Sequence, residues 1–259
     1  NESFASIISD RDVDYRVIMI SKHKSGATRL NVCVKAPLSS TDCAPPPSQP
    51  ANHERFFHYS TRIGSSNSLS RLIQTFGKRD EHGLAPHGWK EWLRPGSLKS
   101  FVEISDDNSS MRSTDFDSKL LELAPEHFGS SENRAYVFHS IIGIAERTPS
   151  SLPWGPDEAI AHAKCSPGAV NAGEADQELS VLTGGLRFPI CHHESYDAVF
   201  EKVAESVIDS VSLGCSIDPP DAPEGLEADL ANVVLEYQPG SGAPLRQISL
   251  LEPQAPCAG

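Results

Sequence analysis

Ala135-Tyr136-Val137-Phe138-His139-Ser140-Ile141-Ile142-Gly143-Ile144 is the stretch from which the fold class is read. Its apolar residues come in runs instead of alternating with polar ones, so as a strand it is covered on both faces. Val17-Ile18-Met19-Ile20, at the end of a run over 13–20, has the same character. Phe101-Val102-Glu103-Ile104 is a third, shorter strand that ends at Ser105-Asp106-Asp107.

Amphipathic segments lie between these strands. Leu69, Leu72, Ile73 and Phe76 predict a helix over 65–76, started by Ser or Asn and stopped by Gly77. A weaker helix carries Phe116, Leu120 and Leu123. Another spans 174–182 and closes at Gly184-Gly185, where glycine takes the left-handed cap conformation. The clearest helix covers 196–211. Tyr196, Val199, Phe200, Val203, Val207, Ile208 and Val211 form its apolar stripe, and Glu201, Lys202, Glu205 and Asp209 face water. Leu30, Val32 and Val34 alternate as a half-buried strand, as do Leu186, Phe188 and Ile190. Residues 4–8 read as a helix and the proline-rich 44–50 as an extended loop. Beyond Gly214 a proline-rich turn leads to two strands, 232–237 and 245–251. The expected division is a main domain over 1–213 and a small C-terminal β segment over 214–259. Strands alternating with helices imply a largely parallel sheet covered on both faces, with ligands bound beyond the carboxyl ends of the strands.

Composition narrows the function. The formal net charge of −13 opposes nucleic acid, whose phosphates require a basic face, and an anionic membrane surface. No apolar run approaches the roughly 18 residues of a membrane-spanning helix. The first residue is Asn and no signal peptide is visible, so the chain reads as processed or as a fragment. The six cysteines are Cys33, Cys43, Cys165, Cys191, Cys215 and Cys257, with no C-x-x-C pair among them. They read as bridges made in an oxidising compartment, the alternative being buried free thiols. Pairing neighbours so that each bridge encloses one local unit gives Cys33–Cys43, Cys165–Cys191 and Cys215–Cys257.

Asp106 and Asp107 stand at a strand's carboxyl end, where carboxylates either bind a hard cation or cap the next helix. Ser65 and Ser66 stand likewise after Phe56-Phe57-His58-Tyr59-Ser60, with the same two readings. The ten histidines include no H-E-x-x-H. Cys191-His192-His193-Glu194 is their tightest cluster, but adjacent strand residues point to opposite faces and cannot share one zinc ion. No nucleophile elbow, phosphate-binding loop or dinucleotide fingerprint occurs. Asn1-Glu2-Ser3 and Asn108-Ser109-Ser110 match the glycosylation acceptor pattern.

In order, these segments resemble a von Willebrand factor A domain, the Rossmann-like fold of integrin I domains. Asp14-Tyr15-Arg16-Val17-Ile18-Met19-Ile20-Ser21 resembles its second strand. Val102-Glu103-Ile104-Ser105-Asp106-Asp107 resembles the strand that delivers a metal-site Asp. Leu182-Thr183-Gly184-Gly185-Leu186-Arg187-Phe188 resembles the turn before the last strand, and 196–211 the C-terminal helix. Ile63-Gly64-Ser65-Ser66-Asn67-Ser68-Leu69, Cys191 after the Gly-Gly turn, and Asn232-Val233-Val234-Leu235-Glu236-Tyr237 extend the likeness to the secreted A-domain proteins of myxobacteria, a group that includes a cell-surface gliding-motility adhesin.

The resemblance implies a doubly wound α/β fold with a mostly parallel sheet. It also implies a Mg²⁺ site (or Mn²⁺ or Ca²⁺) held by three loops, with Asp106 as third-loop carboxylate and Ser65 as second-loop hydroxyl, Ser66 being its substitute. The first loop, Asp-x-Ser-x-Ser, is expected before the helix at 4–8, upstream of Asn1, and the far end is likewise expected to continue past Cys257. The function implied is a secreted or surface-attached binding or adhesion module, not an enzyme, with a protein or surface macromolecule as partner. A metal-free scaffold domain and a secreted hydrolase on an α/β sheet are the rival readings.

Overall fold

The computed structural model describes residues 14–23, 32–149, 152–191, 197–211, 235–237 and 246–248. The chain is a mixed α/β protein whose larger sheets are parallel. β1 (Val17–Ser21) pairs with β2 (Phe56–Ser60) from Val17↔Phe56 to Ser21↔Ser60. β3 (Lys99–Ile104), β4 (Tyr136–Ile142) and β5 (Arg187–Pro189) form a second parallel sheet with β4 in the middle. Helices are α1 (Ser68–Thr75), α2 (Ser113–Leu123), α3 (Pro125–Phe128), α4 (Glu174–Thr183) and α5 (Asp197–Val211), with a 3-10 turn at Trp89–Trp92. β6 (Leu235–Tyr237) and β7 (Arg246–Ile248) pair antiparallel. No described helix is long and apolar enough to cross a membrane.

β4 explains the layering. Six of its seven residues are buried, and alternate side chains enter different cores. Tyr136 and Phe138 join Phe101 of β3, Phe116 and Leu120 of α2, Phe128 of α3 and Leu179 of α4. Ile141, on the other face, packs with Phe188, Val199 and Val203, and with Val102 beside them. The first cluster also takes in Ile18, Ile20 and Tyr59, so the two parallel sheets share one core although no ladder joins them among the described residues.

Sequence periodicity overlooks the Trp89–Trp92 turn. The Trp89 indole donates to Leu72 O at 3.1 Å and meets Phe76 edge-on at 4.9 Å, pinning the turn beneath α1. Gly88 is required there: at φ 93° its backbone approaches so closely that an added Cβ would lie 2.0 Å from Phe76 O.

Several elements differ from the sequence reading. Residues 32–35 are irregular, not strand. Val32 N bonds to Lys22 O at 3.0 Å, but the chain then turns, with Ala36 N bonding to Thr41 O at 2.8 Å and Cys33 bridged to Cys43. α1 begins at Ser68, with Asn67 at the N-cap position and no side-chain cap. The Asn67 side chain instead accepts from Gly64 N at 2.8 Å, closing a turn over 64–67. Neither Ser65 nor Ser66 caps the helix. Asp106 and Asp107 cap nothing either, since α2 starts only at Ser113 after Arg112. Cys165–Cys191 ties the segment before α4 to the end of β5. The expected first helix at 4–8, Tyr196 and the Cys215–Cys257 bridge lie outside the described residues.

On α5, Val199 and Val203 are fully buried while Glu201, Lys202 and Glu205 are exposed, Lys202 pairing with Glu205 at 2.6 Å. Val203→Asp therefore buries an unpaired carboxylate and is expected to cost about 3 kcal/mol or more. Glu205→Lys loses only an exposed ion pair, within about 0.5 kcal/mol. Thermal melts of the two variants check this, and equal midpoints would mean the helix packs by another face.

Candidate functional site

The loops that follow β2 and β3 meet. Ser105 Oγ donates to Ser65 O at 3.1 Å, and Ser110 donates to Ser66 O through both its N–H (2.7 Å) and its hydroxyl (2.8 Å). The carboxyl ends of the two sheets thus open to the same side. Beside these contacts is a cavity of about 450 Å³, lined by Ile63, Gly64, Ser65, Glu103, Ile104, Ser105, Asp106, Gly168 and Ile190.

Glu103, Ile104, Ser105 and Asp106 are consecutive, yet neighbouring strand side chains point to opposite faces. A cavity touching all four runs along the backbone edge of β3 that faces away from β4. Lys99 N and Ser105 N bond to Ala135 O and Ile141 O of the β4 segment, each at 3.1 Å. In a parallel ladder the bonds to β4 come from every second residue, so Ser100, Val102 and Ile104 direct their N–H and C=O groups to the opposite edge. That edge pairs with no described strand, and Ile104 at its end is 57% exposed.

The loop after β3 is held by its own polar groups. Asp106 O accepts from Val170 N (2.7 Å) and Asn171 N (3.1 Å). Asp107 Oδ1 accepts from Asn108 N (2.8 Å) and Asn171 Nδ2 (2.6 Å), so this carboxylate is committed to the loop. Asn108 Oδ1 accepts from Glu174 N at 3.0 Å and serves the first turn of α4, whose own N-cap, Gly173, has no side chain to do so. At the far end of α4, Gly184 takes the left-handed conformation (φ 76°, ψ 18°) that caps it. Thr183 Oγ1 accepts from Phe138 N at 2.8 Å, and a Cβ on Gly185 would lie 1.9 Å from Phe138 O. The Thr-Gly-Gly turn therefore fastens α4 against β4.

Of the sequence-predicted residues, Ser65 and Asp106 line one cavity, whereas Ser66 and Asp107 serve the loop backbone. Oxygen donors such as a carboxylate and a hydroxyl suit a hard cation, but two side chains are too few for its usual six ligands. Among the described residues no group of three or more His, Cys, Asp or Glu side chains is arranged to hold a metal ion. Cys191, first of the Cys-His-His-Glu run, is in a disulfide.

Sequence reasoning passed over Glu103, although a lone acid inside Phe-Val-Glu-Ile was the signal. Burial, then the nearby charge of Asp176, pushes its carboxyl up to about 8 against a hydrogen bond from Ser68. Asp176, in the first turn of α4, is 1% exposed with Oδ1 unpartnered, and burial pushes it up to about 7. Glu103, which lines the cavity, thus holds its proton at neutral pH, while Asp176 titrates near neutrality. Comparison with protein-family models, curated proteins and solved structures finds no match.

Stability carries the mark of Glu103. Unfolded, it ionises near its ordinary 4.5; folded, it keeps its proton to about 8. Its contribution to stability is complete below about pH 4.5 and is lost as pH rises toward 8. Glu103→Gln is expected to melt like the wild type near pH 4.5 but higher at pH 8, by a difference on the order of 1–3 kcal/mol. Equal melting temperatures at pH 8 would contradict this.

Proposed function

We propose that this chain is the von Willebrand factor A-type part of a secreted or surface-attached binding protein. On this reading it is a binding module and not an enzyme. A divalent cation, Mg²⁺ or Mn²⁺, sits at the cavity beyond the strand ends, and an acidic group of a partner protein or surface macromolecule completes its coordination. The observation that carries the reading is that Ser65 and Asp106, distant in sequence, line one cavity at the carboxyl ends of β2 and β3. Asp106 supplies negative charge to the ion, directly or through water, and Ser65 a neutral oxygen.

Other features support the reading. Two disulfides suit an oxidising compartment. Among the described residues no strand pairs with the outer edge of β3 beside the cavity, which leaves room there for a strand bringing further oxygen donors. Without those donors the cation is held weakly, because one carboxylate and one hydroxyl leave most of its coordination to water.

The test compares capture of its partner surface by full-length protein, wild type against Asp106→Ala, with and without EDTA. Wild-type binding is expected to fall with EDTA, and the variant to lose the EDTA-sensitive part while its melting temperature is kept. Binding that ignores both EDTA and Asp106→Ala would overturn the proposal in favour of a metal-free scaffold.

A further inference from the structure

Beside the cavity, the stretch 165–172 passes over the end of β4 and meets the loop after β3. Cys165 and Ala172 are each 5% exposed, whereas the residues between them are exposed or half-buried. Burial therefore does little to fix residues 166–171, and their place is set by what fastens them.

Both ends are fastened to β4 and the chain just beyond it. The Cys165–Cys191 disulfide joins the stretch to the residues that follow β5. Each partner has its own anchor nearby: Cys165 N bonds to Gly143 O at 2.9 Å, and Ile190 N bonds to Ile142 O at 2.6 Å. At the other end Ala172 packs with Ile142 and Ile144. Gly143 permits the close passage, since a Cβ there would lie 2.0 Å from Asn171 O.

What the stretch supports is the site. Gly168 and Ile190, close in sequence to the two cysteines, line the cavity together with Asp106. Val170 N and Asn171 N both donate to Asp106 O, at 2.7 and 3.1 Å. Asn171 Nδ2 donates to Asp107 Oδ1 at 2.6 Å. Val170 is itself 52% exposed, so hydrogen bonds and not packing keep it against Asp106. The Cys33–Cys43 bridge closes a separate turn, in the segment between β1 and β2.

We propose that Cys165 and Cys191 are positioning residues of the site. Their bridge holds the cavity wall at Gly168 and Ile190 and, through Val170 and Asn171, sets the place of Asp106. Cation binding therefore depends on this bridge and not on Cys33–Cys43. The inference rests on the cation reading above and gives the bridge a part in binding beyond stability. Groups that orient a metal ligand from outside the coordination sphere commonly change metal affinity by about 10- to 100-fold.

The experiment measures amide hydrogen exchange and Mn²⁺ affinity on the full-length protein, for wild type, Cys165→Ala/Cys191→Ala and Cys33→Ala/Cys43→Ala. In the first variant the β4 amides of Phe138 and Ile141 are expected to stay protected. Val170 and Asn171 are expected to exchange about tenfold faster or more, through local opening. Mn²⁺ affinity is expected to fall at least about tenfold. The second variant is expected to match the wild type at Val170, Asn171 and in Mn²⁺ affinity. Should β4 lose protection as well, Cys165→Ala/Cys191→Val, which refills the buried space, is read by the same criteria. Unchanged exchange at Val170 and Asn171, or faster exchange with unchanged Mn²⁺ affinity, would overturn the proposal. A wild type that does not bind Mn²⁺ would sink the cation reading instead, and exchange at Val170 and Asn171 would still decide whether the bridge positions the loop.

Discussion

Because β4 has neither a wet face nor a free edge, the rest of the molecule is arranged to enclose it. Its backbone bonds to β3 on one side and β5 on the other, and its faces are closed by different helices. A parallel sheet needs a crossover for every pair of strands, so the strands share a direction and their carboxyl ends share an edge. The cavity follows from this. It stands where the loops after β2 and β3 come together, and its walls are chain that had to be there to connect the layers.

The same enclosure governs the electrostatics. Glu103, half-buried at the cavity wall, and Asp176, buried in α4, both have their carboxyls pushed up by burial. His139, on β4, answers in the opposite sense: burial pulls its pKa down to about 4, and its neutral Nδ1 accepts from Leu186 N at 3.0 Å. Glu103 thus contributes less charge to the site than its place in the sequence suggests.

What sequence made legible was the part of the fold set by hydrophobic period. The apolar runs at Val17–Ser21 and Tyr136–Ile142 are strands, and the stripe on α5 is buried at Val199 and Val203. Local features failed where a distant partner decides the outcome. The alternation of Val32 and Val34 reads as strand, but the segment is irregular and turns back within a loop closed by Ala36 N to Thr41 O and the Cys33–Cys43 bridge. Serine and aspartate before helices read as caps, yet Asn67 turns back to Gly64, and Asn108 serves a helix far along the chain. The Trp89 turn carries no helical period of its own and is positioned by tertiary contacts of its indole with Leu72 O and the Phe76 ring. The rule that ligands bind at strand carboxyl ends drew attention to Ser65 and Asp106, and the two line one cavity beyond β2 and β3. The support that Val170 and Asn171 give Asp106 was not legible, since it comes from backbone donors far along the chain.

The central claim is that a divalent cation sits between the loops after β2 and β3. Paramagnetic broadening of backbone amide resonances by substoichiometric Mn²⁺, measured on the full-length protein, tests it most directly. The account requires that Ser65, Ser66, Ser105 and Asp106 broaden first and that the effect fall with distance from them. Broadening spread evenly over acidic surface residues, or centred on the exposed carboxylates of α5, would contradict it.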